Sequence, residues 1–143
     1  MRFWDTSAIV PLLVLEQGSK LVRGWLSEDA DMVLWGLTRL ELVAAIERRA
    51  REGRLAAADR AAALVRAERI TNDAHEVSDL LAVRVRGISL LARHSIRTAD
   101  AAQLGAALLV ADPDPSSLTL VVLDRRLAAA GLREGLRVLT WPE

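Results

Sequence analysis

The sequence predicts one three-layer α/β/α domain that spans residues 1–143 and is built on a mostly parallel sheet. Short apolar runs alternate along the chain with longer segments of helical periodicity, which is the pattern of βαβ units. The length, 143 residues, suits one domain with a sizeable core, and 52% of the residues are hydrophobic. No internal repeat or break in composition divides the chain, so we expect a single domain.

The strands are predicted from the apolar runs, and the helices from apolar residues that recur every three to four positions. The predicted strands cover residues 2–4, 32–35, 118–123 and 136–140. The predicted helices cover residues 18–27, 38–52, 55–69, 77–93, 98–111 and 125–130. An additional first helix is expected to begin near Pro11, because proline favours the first turn of a helix. Residues 6–10 would then form an extended or tight-turn entry, and the Pro- and Asp-rich residues 112–117 a loop.

The composition excludes several classes of protein. There is no cysteine, which removes disulfides, iron–sulfur clusters and Cys-based zinc sites, and two histidines are too few for a His-rich site. The longest apolar runs are shorter than the roughly 18 residues that a membrane-spanning helix needs. The formal net charge is zero, which does not indicate a nucleic-acid binder, although all basic residues except Lys20 are arginines that suit phosphate. We expect a soluble, cytoplasmic protein.

Four acidic side chains are predicted to meet at one edge of the sheet. Asp5 directly follows the first strand and Asp124 the third predicted strand, while Glu41 and Asp100 lie in the first turns of two helices. Parallel strands end at a common edge, where ligands bind in such folds. Two carboxylates at 4 Å repel by about 4 kcal/mol at an effective dielectric of 20, so a divalent cation would stabilise the cluster. Oxygen ligands alone favour Mg²⁺ or Mn²⁺.

Each acid also has a purely structural explanation. Asp5 and Asp124 suit N-cap positions, and Glu41 completes the capping-box pattern Ser/Thr-x-x-Glu that begins at Thr38. Asp100 would stabilise the N-terminus of its helix through the helix dipole. A non-catalytic α/β interaction module whose acids are all helix caps is therefore the alternative to a metal site.

Two other classes of α/β protein also place acidic residues at this edge of the sheet, and the sequence excludes both. A phosphatase of the haloacid-dehalogenase type needs Asp-x-Asp, but Ser7 occupies the second position. A response-regulator receiver needs a lysine after a late strand, and the only lysine, Lys20, lies in an early helix.

Four stretches resemble the motifs of the PIN-domain nucleases, and most closely those of the VapC toxins of bacterial toxin–antitoxin pairs. They are Asp-Thr-Ser-Ala from residue 5, Arg-Leu-Glu-Leu from residue 39, Arg-Thr-Ala-Asp-Ala-Ala-Gln-Leu from residue 97 and Val-Val-Leu-Asp-Arg-Arg-Leu from residue 121. The match covers essentially the whole chain in order and spacing. It places the family's four acids on Asp5, Glu41, Asp100 and Asp124. One departure is Val122, where many members carry Thr or Ser.

The resemblance implies a Mg²⁺- or Mn²⁺-dependent endoribonuclease that cuts single-stranded or looped RNA as the toxin of a toxin–antitoxin system. Asp5 and Asp100 are expected to bind the metal directly, and Glu41 and Asp124 to complete the site directly or through water. The expected partners are RNA, a cognate antitoxin protein and a second copy of the chain in a homodimer, with no membrane partner.

Several further residues have two interpretations that the sequence leaves open. Arg97, Arg39 and Arg125 could contact phosphates on either side of the cleavage point, or could be ordinary surface arginines. Gln103 lies one turn beyond Asp100 and could face either the cleft or the helix surface.

Overall fold

The computed structural model describes residues 1–143 as a five-stranded parallel sheet between two layers of helices. The strands are β1 (Arg2–Trp4), β2 (Met32–Trp35), β3 (His75–Val77), β4 (Thr119–Val121) and β5 (Arg137–Leu139). All neighbouring pairs are parallel, and the order across the sheet is β3-β2-β1-β4-β5. The predicted α/β/α fold class is confirmed.

Seven α-helices cover the two faces of the sheet. They are α1 (Thr6–Leu13), α2 (Ser19–Glu28), α3 (Thr38–Arg51), α4 (Ala57–Asp73), α5 (Leu80–Arg93), α6 (Thr98–Ala111) and α7 (Arg125–Arg133). Side chains alternate across β1, so Phe3 joins the core beneath α5, α6 and α7, whereas Trp4 joins the core beneath α1 to α4. None of these helices has the length and apolar character needed to cross a membrane.

The direction of winding reverses at β1, the central strand. From β1 the chain winds to β2 and β3 on one side, and later to β4 and β5 on the other. Phe3 lies opposite Leu120 and Trp4 opposite Val121, so the carboxyl ends of β1 and β4 are adjacent. This is the topological switch point, where parallel sheets of this kind bind ligands.

The prediction of an extended or tight-turn entry over residues 6–10 was wrong, because α1 begins at Thr6 and contains Pro11. Asp5 starts the helix: its carboxylate accepts a hydrogen bond from the Ser7 amide, and its carbonyl accepts one from the Ala8 amide. Proline removes one main-chain donor from the helix. Burial of most of its apolar side chains, including Ile9, offsets this cost and keeps the helix intact.

The third strand was missed because it is not an apolar run. His75 and Glu76 of β3 are exposed, and the strand pairs only with β2 at the edge of the sheet. The helix predicted over residues 77–93 starts instead at Leu80, where the Asp79 carboxylate caps it by accepting a hydrogen bond from the Ala82 amide at 3.0 Å.

The last helix runs past Gly131, where the prediction ended it. A Cβ added to Gly131 would lie 2.8 Å from Cδ2 of Leu120 on β4. The glycine therefore allows the helix to lie close to the sheet and does not terminate it.

Candidate active site at the switch point

All four predicted acids line a single cleft of about 300 Å³ at the carboxyl edge of the sheet. Asp5 follows β1, Asp124 caps α7 after β4, and Glu41 and Asp100 lie in the first turns of α3 and α6. A larger groove of about 630 Å³ lies near the end of α1, but Asp59 is its only acidic residue. The acidic chemistry of the chain is thus concentrated in the smaller cleft.

Asp5 lies at the bottom of the cleft and is only 4% exposed. Its Oδ2 accepts hydrogen bonds from the amide and the hydroxyl of Ser7, and its Oδ1 has no hydrogen-bond partner. Burial raises the pKa of the Asp5 carboxyl to about 7; the charges of Glu41 and Asp100 add to this shift, and the bonds from Ser7 oppose it. No basic side chain is within 4.0 Å to neutralise it.

Ser7 explains why a hydroxyl residue stands two positions after Asp5. Its Oγ donates to Asp5 and accepts hydrogen bonds from the main-chain amides of Leu123 at 2.9 Å and Asp124 at 3.1 Å. One hydroxyl therefore joins the carboxyl ends of β1 and β4 across the switch point. In the same region Val122, where many family members are polar, is fully buried in the core.

Glu41 is held by side chains from two other helices and does not cap its own. Its Oε2 accepts from the Thr6 hydroxyl at 2.9 Å and its Oε1 from the Gln103 amide at 3.2 Å. The capping-box interpretation of Thr38 and Glu41 was wrong: Leu37 is the N-cap residue and has no side-chain cap, and Thr38 lies buried in the first turn. Burial raises the pKa of Glu41, the bonds from Thr6 and Gln103 oppose this, and the charge of Asp100 adds to it.

Gln103 faces the cleft residues, which decides the question that the sequence left open. It is 1% exposed, and its Nε2 contacts Oγ1 of Thr6 at 3.0 Å and Oγ1 of Thr38 at 3.1 Å in addition to Glu41. The available signal was an amide side chain in an otherwise apolar stretch of α6, three positions after Asp100. Thr6, Thr38 and Gln103 together form a buried polar network that fixes the carboxylate of Glu41.

Asp100 and Asp124 serve as helix caps while facing the cleft. Oδ2 of Asp100 accepts from the Arg97 amide at 3.3 Å, and Oδ1 of Asp124 accepts from the Leu127 amide at 2.8 Å. Each of the two keeps one carboxylate oxygen without a hydrogen-bond partner. Burial raises the pKa of Asp100, the Arg97 amide opposes this, and the charge of Asp124 adds to it. The cap and cluster interpretations are therefore compatible for these residues.

The carboxylate oxygens of the cleft are ligands that a hard divalent cation prefers, although the side chains as they stand are not close enough together to coordinate one ion. No three acidic or histidine side chains converge closely enough to hold one ion. Asp5, Asp100 and Asp124 nevertheless each present one oxygen free of hydrogen bonds, and none has an ion-pair partner within 4.0 Å. Oxygen ligands without His or Cys are those of Mg²⁺ or Mn²⁺.

The family model for the PIN domain matches residues 2–139. The chain belongs to the PIN-domain family. No curated protein matched it in a sequence search. The resemblance drawn from the four motifs is confirmed at the level of the family.

Solved structures share the fold of this PIN domain at low sequence identity. FitAcB from Neisseria gonorrhoeae is 18% identical with a TM-score of 0.67, covering 97% of this chain and 96% of that one. A toxin–antitoxin complex from Klebsiella pneumoniae is 15% identical with a TM-score of 0.65, covering 98% and 97%. PAE2754 from Pyrobaculum aerophilum is 21% identical with a TM-score of 0.65, covering 96% and 87%. At these identities the likeness shows the fold.

The three arginines considered for phosphate contact lie in different surroundings. Arg97 and Arg125 line a cavity that adjoins the cleft. Arg39 lies on α3 and contacts Oε1 of Glu68 at 3.4 Å, and it lines neither cavity. Arg126, which the sequence reasoning did not single out, lies beside Arg97 and Arg125.

Proposed function

We propose that this PIN domain is a Mg²⁺- or Mn²⁺-dependent endoribonuclease whose catalytic residues are Asp5, Glu41, Asp100 and Asp124. The observation that carries the proposal is that four carboxylates, none with a basic side chain within 4.0 Å, line one cleft at the switch point of the sheet. Membership of the PIN family supports it. The rival explanation, an interaction module whose acids are all caps, does not account for Glu41, which is half-buried, is held by Thr6 and Gln103, and caps nothing.

The four acids have distinct roles in the proposed site. Asp5 and Asp100 would hold the metal directly, with Asp124 and Glu41 completing the site directly or through water. When bound, a divalent cation lowers the pKa of a water molecule for attack on phosphorus and screens charge on the phosphate. Ser7 fixes Asp5, while the network around Gln103 fixes Glu41, so both carboxylates are oriented before substrate arrives. In-line attack leaves a 5′-phosphate and a 3′-hydroxyl.

The purified protein should cut single-stranded RNA in the presence of Mn²⁺ or Mg²⁺, and excess chelator should stop the cleavage. The reason is that a cation held by the acids would activate the attacking water and screen the charge of the phosphate at the point of cleavage. Gel analysis of end-labelled RNA measures the rate, and the chemistry of the product ends can be read on the same gel. Cleavage at full rate in excess chelator would contradict the metal mechanism.

We further propose that the chain acts as the toxin of a toxin–antitoxin pair, blocked by a cognate antitoxin protein. Support comes from the VapC-like motifs and from fold neighbours such as the Klebsiella pneumoniae toxin–antitoxin complex. Expression of the chain alone should arrest bacterial growth, and co-expression of a small protein encoded next to it should relieve the arrest. Asp5→Asn should be harmless at equal expression. If this variant were as toxic as the parent, growth arrest would not come from nuclease activity.

A homodimer is the assembly that we propose for this toxin. Leu81, Val85 and Ile88 form an exposed apolar stripe on α5, on the side turned away from α6. Apolar patches of this kind mark association surfaces, and identical chains most often pair by a two-fold axis. Sedimentation velocity at micromolar concentration should give the mass of a dimer, and a monomer mass would contradict the proposal.

A further inference from the structure

A second cavity adjoins the acidic cleft and carries the opposite charge. It measures about 370 Å³ and is lined by Ile96, Arg97, Asp100, Asp124, Arg125 and Arg126. Asp100 and Asp124 also line the acidic cleft, so the two spaces meet at these carboxylates. A group bound between the arginines would therefore lie next to whatever is bound at the acids.

The arginines of this cavity are free, unlike several others on the surface. Arg97, Arg125 and Arg126 are exposed, and none has a carboxylate within 4.0 Å. Helices α6 and α7 also begin here, since Arg97 is the N-cap of the first and Arg125 starts the second. The carboxylates of Asp100 and Asp124 already cap these two helices, so the three guanidinium groups supply the positive charge of the cavity.

The other end of the acidic cleft has fewer basic side chains available to bind an anion, since only Arg48 and Arg49 line it. Arg49 is already occupied, because its Nε and Nη2 donate to Glu16, each at 3.1 Å, and its Nη1 donates to the Ala45 carbonyl at 3.1 Å. One free guanidinium therefore stands at that end, against three in the arginine cavity.

We propose that Arg97, Arg125 and Arg126 form a phosphate-binding subsite that holds the RNA strand on the α6–α7 side of the cleavage point. The proposal rests on the ribonuclease function and specifies how that site holds its substrate. Guanidinium groups suit phosphate because they donate paired hydrogen bonds and keep their charge. Phosphate contacts of this kind position a strand without reading its sequence. The asymmetry of free arginines means that this side supplies most of the affinity for RNA.

RNA binding without cleavage tests the subsite separately from catalysis. The probe is a fluorescent single-stranded RNA of about ten nucleotides, titrated with protein in excess chelator at several salt concentrations. Each of Arg97→Gln, Arg125→Gln and Arg126→Gln should weaken binding roughly fivefold at low salt, as expected for an exposed charged contact. Each should also reduce the slope of log affinity against log salt by about 0.7, the value for one phosphate on a single strand.

Arg69→Gln is the matched control, because Arg69 is exposed on α4, has no ion pair and lines neither cavity. It should bind RNA as the parent does. The variant that combines Arg97→Gln, Arg125→Gln and Arg126→Gln should lose the most affinity. The subsite would be overturned if this triple variant kept the parent's affinity and salt slope, if Arg69→Gln lost as much, or if the parent did not bind the RNA. Failure to cleave RNA with Mn²⁺, combined with binding that depends on the three arginines, would overturn the nuclease proposal and leave the subsite intact.

Discussion

Asp100→Asn should lower the rate of Mn²⁺-dependent RNA cleavage at least about 100-fold. Even outer-shell partners of a metal ligand cost 10- to 100-fold when removed, and Asp100 is proposed as a ligand. The substitution keeps the oxygen that accepts from the Arg97 amide, so the start of α6 is preserved. It replaces the other oxygen of Asp100, which has no hydrogen-bond partner, by a neutral amide nitrogen and so removes the negative charge. Single-turnover cleavage of a labelled RNA measures the effect.

Asp79→Asn is the control for this loss. Asp79 is also an aspartate at the start of a helix, where it accepts from the Ala82 amide at 3.0 Å, but it does not line the acidic cleft. Because Asn and Asp are about equal as N-caps, this variant should cleave RNA like the parent. Asp100 would not be a metal ligand if Asp100→Asn kept most of the activity, or if Asp79→Asn lost as much.

Asp5→Asn should make the metal-free protein more stable at neutral pH. The pKa of Asp5 is raised from 3.8 to about 7 in the folded protein, so the folded state holds its proton more tightly than the unfolded state. The stability that protonation supplies is present below pH 4 and is lost as the pH rises towards 7. Between pH 4 and pH 7 this loss is about 3 kcal/mol for a shift of this size. An asparagine at this position does not ionise, so the variant does not lose this stability as the pH rises.

Denaturant unfolding of both proteins in chelator, at pH 4 and at pH 7, measures this effect. The variant should exceed the parent in free energy of unfolding at pH 7, and the difference should shrink at pH 4, where Asp5 is largely protonated. Asp79→Asn again supplies the comparison, since it alters an exposed cap outside the cleft. Equal stabilities of parent and Asp5→Asn at both pH values would show that the Asp5 carboxylate is not held in a charged, buried cluster.

The parts of the fold that follow from local pattern could be predicted from the sequence. Apolar runs located β1, β2, β4 and β5, and helix α6 begins and ends at the predicted residues. The acids could be brought together because parallel strands end at one edge, and Asp5 and Asp124 directly follow the ends of adjacent strands.

The parts that depend on tertiary contacts could not be predicted. The exposed edge strand β3 gains its structure from pairing with β2 and has no apolar signature. Pro11 is tolerated within α1 because the helix is buried. The contacts of Gln103 with Thr6, Thr38 and Glu41 join residues up to 97 positions apart, so no local rule could have shown them.

The helix-cap and metal-cluster interpretations of the acids are not mutually exclusive. Asp5 and Asp124 cap helices with one carboxylate oxygen and turn the other, without a hydrogen-bond partner, towards the cleft. A helix N-terminus at the end of a central strand suits both roles, because the amides fix the carboxylate and leave half of it available. Only Glu41, which is held by a side-chain network, separates the two interpretations.

The most direct measurement of whether these acids bind metal is the melting temperature of the parent and of Asp5→Asn, each with chelator and with Mn²⁺. At a Mn²⁺ concentration 100 times the dissociation constant, a bound ion stabilises the folded state by roughly 2.7 kcal/mol. The parent should therefore melt at a higher temperature with Mn²⁺ than with chelator, and Asp5→Asn should gain much less because it has lost a ligand. If Mn²⁺ raised neither melting temperature, or raised both equally, Asp5 would be a helix cap and not part of a metal site.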